Sequence, residues 1–180
     1  AGDNKLNSCN LNFEVRSSGS ITICITGKTD WFGLSINGTL QPNVNLSFAL
    51  ENDLSDSATM LRTEDWSIAR DSTLEYGELS SGGLRIKSDI RTYLKGNNST
   101  LDQNIAVNCE TTRVDDHHIE IHHQSGYSSS SLSVKSACAD KGHAIGTGLL
   151  AIEEDCDKTD AGQVFKNLLL SPQAKAESIP

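Results

Sequence analysis

Proline is scarce in this chain, three residues in 180, which excludes a proline-rich linker or stalk. Aromatic residues make up 5%, too few for a sugar-stacking platform, although Trp31 and Phe32, or Tyr76 and Tyr127, supply isolated rings. No run approaches the ~18 apolar residues of a membrane-spanning helix, so no membrane insertion is expected. The 15 Lys and Arg are scattered singly and the net charge is −9. An acidic chain without a basic stripe repels phosphate, which removes nucleic acid from the expected partners.

The motifs of the common enzyme classes are missing as well. There is no CxxC, which argues against zinc-ribbon and thioredoxin-type sites. There is no GxSxG elbow, and "GHAIGTG" lacks the GK[ST] ending of a phosphate loop. The acid-dense "EEDCDKTDAG" resembles a calcium loop only in charge. Counted from Asp155, its sixth position is Asp160 instead of Gly and its twelfth is Lys166 instead of Glu. Strands alternating with helices, the mark of a nucleotide-binding fold, are absent.

What is present is period-two alternation, the signature of half-buried strands. "LNFEV" and "ITICI" read as a hairpin about Gly19, "WFGLSI" as a strand stopping at the turn dipeptide Asn37-Gly38, and "VNLSFAL" places Val44, Leu46, Phe48 and Leu50 on one face. Residues 51–72 read as irregular, with Trp66 as a core anchor. "LRIKSDIRTYL" alternates Leu84, Ile86, Ile90 and Leu94 against charged residues. Near the C-terminus "TDAGQVFKNLLL" spaces Val164, Phe165, Leu168 and Leu169 as a short amphipathic helix ending near Pro172. No internal repeat is apparent. The expected fold is all-β and mainly antiparallel, a β-sandwich or partly open β-barrel with a short C-terminal helix. It forms one domain over residues 1–180, with 171–180 a mobile tail.

Five cysteines are present, Cys9, Cys24, Cys109, Cys138 and Cys156. Two short loops are closed if Cys9 pairs with Cys24 and Cys138 with Cys156, leaving Cys109 free. With an opening "AGDNKL" like a terminus left by signal-peptide cleavage, this pairing suggests an oxidising compartment, secreted or periplasmic.

The sharpest local feature is "HHIEIHH", residues 117–123. On a strand, Ile119 and Ile121 mark the core side, shared with His117 and His123, and Asp116, His118, Glu120 and His122 form a row on the other face. Imidazoles at i and i+2 with a carboxylate suit Zn or Cu. The same row is also an ordinary solvated face, or a cluster that charges between pH 7 and 5. The expected function is therefore a non-enzymatic binding protein with no required cofactor. It acts on another protein or a cell-surface component as an adhesin-like module, an inhibitor or immunity partner, or a part of a surface assembly. The alternatives are a small-ligand or metal-binding β-barrel using Asp116, His118, Glu120 and His122, and a hydrolase whose site no motif marks.

Overall fold

Alternation puts every second side chain on one face of a strand. In the computed structural model, which describes residues 6–179, those faces close on each other across two sheets whose paired strands all run parallel. Thirteen strands are formed among the described residues: β1 (Leu6–Val15), β2 (Gly19–Gly27), β3 (Trp31–Leu40), β4 (Asn45–Leu54), β5 (Thr59–Ile68), β6 (Thr73–Ser80), β7 (Arg85–Leu94), β8 (Thr100–Cys109), β9 (Val114–His123), β10 (Ser129–Cys138), β11 (His143–Ile152), β12 (Asp160–Leu169) and β13 (Lys175–Ile179). Odd-numbered strands stack in one seven-stranded sheet and even-numbered strands in the facing six-stranded sheet. Each turn of chain adds one rung to both, and the architecture is a parallel β-solenoid.

Register is kept from rung to rung. Trp31 pairs with Thr59, Thr59 with Arg85, Arg85 with Val114, Val114 with His143 and His143 with Lys175. Like residues therefore form columns inside the solenoid. Leu40, Ile68 and Leu94 lie in one, Leu46, Leu74 and Leu101 in another, all with at most 2% exposure. Fully burying each such side chain contributes about 1.5–3 kcal/mol before entropy is counted. At the corners leading into the even-numbered strands the chain enters the left-handed region at Asn43, Asp71, Asn98, Tyr127 and Lys158. The corner amides bond to the next rung, as Asn43 N–H does to the Arg70 carbonyl at 3.1 Å and Asp71 N–H to that of Asn97 at 3.1 Å.

Several expectations are corrected. The fold is neither an antiparallel sandwich nor a barrel, because period two reports a buried face and not the direction of the neighbouring strand. β1 and β2 are not a hairpin; they lie in opposite sheets. Asn37-Gly38 is inside β3, and residues 59–68 of the supposedly irregular stretch are β5. The expected C-terminal helix is β12, which pairs with β10 over ten residues, with Phe165 turned inward and Val164 and Leu168 outward. Lys175–Ile179 pair with β11 as β13. Residues 1–5, which carry most of the "AGDNKL" reading, lie outside the described residues.

Candidate functional site

Most inward positions are apolar, but a contiguous group is charged. β5 reads Met60, Arg62, Glu64, Trp66 along its buried face, β6 reads Tyr76, Glu78, Ser80, and β9 reads Asp115, His117. Arg113 joins from the corner before β9, 4% exposed. All these side chains meet in the space between the sheets. Arg62 Nη2 donates to both oxygens of Glu78, at 2.8 and 2.7 Å, and its Nε lies 3.4 Å from Glu64 Oε1. His117 Nε2 is 3.0 Å from Glu78 Oε1, and its Nδ1 is in ion contact with Asp115 Oδ1 at 2.8 Å. Asp115 is bonded by Arg113 and, at 2.7 Å, by the Ser80 hydroxyl. At the other end Trp66 Nε1–H donates to Glu64 at 2.8 Å, and the Tyr76 hydroxyl lies between Glu64 and Glu78 at 3.1 and 3.2 Å.

Space for this chain comes from Ser88, which stands between Arg62 and His117 in the same column, is fully buried, and leaves the two long side chains room to converge. Burial disfavours every charge here, and the neighbours decide which survive. Burial would raise the Glu78 carboxyl, but Arg62 and His117 overcome it and hold the group down to about 2. Burial would lower the His117 imidazolium, but Asp115 and Glu78 overcome it and hold it up to about 9. Asp115 is likewise kept below the ordinary carboxylate range by His117 and Arg113, against burial. Glu64 is the exception. Burial raises it and Arg62 opposes only in part. The result is a water-excluded ionic relay from Glu64 to Arg113, with a proton held on His117 between two carboxylates.

The row Asp116, His118, Glu120 and His122 lies on the outer face of β9, half-buried among neighbouring strands. Glu120 sits between the two rings, with His118 Nε2 at 2.9 Å from one oxygen and His122 Nε2 at 3.0 Å from the other. Arg91 Nε is 3.6 Å away, Lys87 pairs with Asp116 at 2.9 Å, and Tyr93 stacks on His122 with ring centres 5.1 Å apart. These contacts make a hydrogen-bonded surface row. Among the described residues no three His, Cys, Asp or Glu side chains are grouped as a metal-ligand set.

The expected disulfides are corrected: all five cysteines are free. Cys9 is on β1 in one sheet and Cys24 on the exposed face of β2 in the other, 3.9 Å from a Glu51 oxygen. Cys138 ends β10, whereas Cys156 lies beyond the far end of β11, roughly 30 Å along the strand direction, where its thiol donates to the His123 carbonyl at 3.3 Å. The in-register neighbour of Cys138 is Cys109.

The relay went largely unmarked in the sequence. Arg62, Glu64, Glu78, Asp115 and Arg113 match no motif. Only His117 was placed on the core side, by its alternation with Ile119 and Ile121. The usable signal was charge at inward positions, between Met60 and Trp66 on β5 and between Tyr76 and Ser80 on β6.

Residues 14–180 match the family described as the SufBD core domain of the SUF system for FeS cluster assembly. The chain is also 28% identical over 155 residues to the iron-sulfur cluster assembly protein SufD of Escherichia coli (strain K12), a match covering 86% of the chain and 35% of that protein. The chain thus spans about a third of the length of that relative. These similarities, with the free thiols, overturn the expectation of a secreted or periplasmic adhesin, inhibitor or surface component.

Proposed function

Because the chain belongs to the SufBD core domain family, we propose that it is the rigid solenoid core of a SufD-like component of FeS cluster assembly, and that it works by holding other protein components of that assembly in fixed positions. The observation that carries this reading is the pairing of an in-register two-sheet rod with an ionic relay that ties its sheets together. Arg62 and His117 from one sheet grip Glu78 from the other. A scaffold must keep its outer faces at constant spacing. Parallel in-register ladders supply that along the rod, and buried charge pairs, which tolerate few alternative packings, supply it across the rod. The partners are proteins of the same assembly, met through flat strand faces.

The test uses the full-length protein in its own host. Deleting its gene should lower the activity and iron content of FeS enzymes, and re-expression should restore both. Affinity purification of the full-length protein should bring down other SUF components. Normal FeS enzyme activity in the deletion strain under iron limitation, with no SUF component recovered, would overturn the reading.

A further inference from the structure

One pair of groups lies outside the ionic relay proper and has no part in the scaffold reading. Cys109 and Cys138 end consecutive strands of the six-stranded sheet, are direct register partners, point inward, and are both fully buried. We propose that these two thiols form a two-coordinate site for a soft monovalent cation, of which copper(I) is the biological example.

Neighbouring strands hold in-register residues about 4.8 Å apart. Disulfides take Cα atoms about 4.4–6.8 Å apart, so this spacing admits one, but both thiols are free. A cation bound linearly between two sulfurs separates them by twice a metal–sulfur bond of about 2.3 Å, or about 4.6 Å, which is close to the strand spacing. The donor set points the same way. Thiolates select soft ions, and no further His, Cys, Asp or Glu among the described residues completes the set that zinc or iron(II) prefers.

As each S–metal bond forms, the thiol releases its proton to water, so one monovalent cation replaces two protons and leaves a bis-thiolate unit of charge −1. Burial and Asp115 push the Cys109 thiol up to about 12, and the nearby Arg113 guanidinium, itself paired with Asp115, opposes them in part. In the free protein the Cys109 thiol instead donates to the His143 carbonyl at 3.7 Å. Immediately outside the pair, the corners after β8, β10 and β12 line a cleft of about 590 Å³ that includes Thr111, Thr112, Asp140 and Lys141, residues two or three positions beyond each cysteine.

The experiment is an anaerobic titration of the reduced protein with copper(I), delivered and competed by a colorimetric chelator, with X-ray absorption at the copper edge. One equivalent should be retained by the wild type and by the triple variant Cys9→Ser/Cys24→Ser/Cys156→Ser. Its affinity should fall at least 100-fold in Cys109→Ser and in Cys138→Ser. Absorption spectra of the wild type should show two sulfur neighbours and no nitrogen. Unchanged retention in the pair variants, loss in the triple variant, or three or more ligands to copper would each overturn the site. The absorption measurement needs no variant and decides the question even if a serine at either buried position prevents folding.

Discussion

Arg62 Nη2 donates to both carboxylate oxygens of Glu78, at 2.8 and 2.7 Å, with neither side chain exposed. The two residues belong to β5 and β6, strands adjacent in sequence that lie in opposite sheets and share no backbone ladder. This contact and the His117–Glu78 pair at 3.0 Å are the charged pairs among the polar side-chain contacts that hold one sheet to the other. Such a pair is costly to break from one side. Its partner then remains buried and charged, whereas replacing both with apolar groups of similar size is often neutral.

Removal of one member should therefore be far worse than removal of both. Arg62→Met is expected to destabilise the protein by about 3–5 kcal/mol, read as a lowered urea midpoint with an unchanged slope. The double variant Arg62→Met/Glu78→Leu should recover a large part of that loss, leaving His117 with Asp115. Equal effects from the single and double variants would mean that the relay does not act as a unit.

Stability should fall on the alkaline side in a window set by His117. Its proton is held to about 9 in the folded protein, against about 6.5 in an unfolded chain. A raised value favours the folded state below the unfolded pKa. The contribution is thus fully present below about pH 6.5, shrinks as the pH rises, and is gone once the pH passes about 9. Glu78, held down to about 2, acts on the acid side, its contribution disappearing as the pH falls through that value. Melting temperatures at constant ionic strength should decline from pH 6.5 to 9, and His117→Gln, less stable at pH 6, should be flat over that interval. A decline of equal slope in His117→Gln would assign the effect to other groups.

The outer row should behave in the opposite way. Glu120 is bonded by His122 and His118, which hold its carboxyl below the ordinary range, but the row faces solvent and is screened. Surface pairs of this kind contribute about 0–1 kcal/mol. Glu120→Gln should shift the urea midpoint by no more than that, and the shift should shrink further in 0.5 M salt. A loss as large as that of Arg62→Met would show that this face is covered in the working protein.

Much of the face assignment was legible in the residues. Ile119 and Ile121 separated the two sides of β9 correctly, and Val44, Leu46, Phe48 and Leu50 are all buried. Strand direction was not legible, because a one-sided strand alternates identically whether its neighbour is parallel or antiparallel. The helical spacing seen in β12 arose because its outward Val164 and Leu168 are apolar too, exposed at 47% and 58%, which blurs the period. The solenoid did leave a trace. The left-handed corner residues Asn43, Asp71, Asn98, Tyr127 and Lys158 each stand two positions before an even-numbered strand and recur every 27 to 31 positions, and "DST", "NST" and "YSS" mark three successive corners. Their chemistry is alike but their letters are not, so the repeat is hidden from a search for identical residues. The relay was less visible still, since the inward charges Arg62 and Glu64 lie on β5, in the stretch expected to be irregular, and so had no buried face to violate.

Gly38 provides the sharpest check on the register itself. It lies inside β3, directly beside Trp66 of β5, and a methyl group added to it would fall 2.1 Å from two carbons of the indole. The indole has nowhere to go. Its Nε1–H is bound to Glu64 at 2.8 Å, Phe48 meets it edge-on with ring centres 4.8 Å apart, and Phe13 stacks on it at 6.4 Å. In an ordinary strand, replacing glycine by alanine stabilises by about 0.4–1 kcal/mol, because the unfolded chain loses freedom. Here the sign should reverse. Overpacking of a closed core costs about 1–3 kcal/mol, and Gly38→Ala should sit at the upper end of that range because the added carbon meets a ring that is fixed on three sides. Placing Trp66→Leu in the Gly38→Ala background should make the alanine neutral or favourable relative to Trp66→Leu alone, a double-mutant cycle with a coupling of about 2 kcal/mol or more. A stabilising Gly38→Ala in the wild-type background, measured by urea unfolding, would mean that Gly38 and Trp66 are not in register and that the pairing of β3 with β5 is shifted.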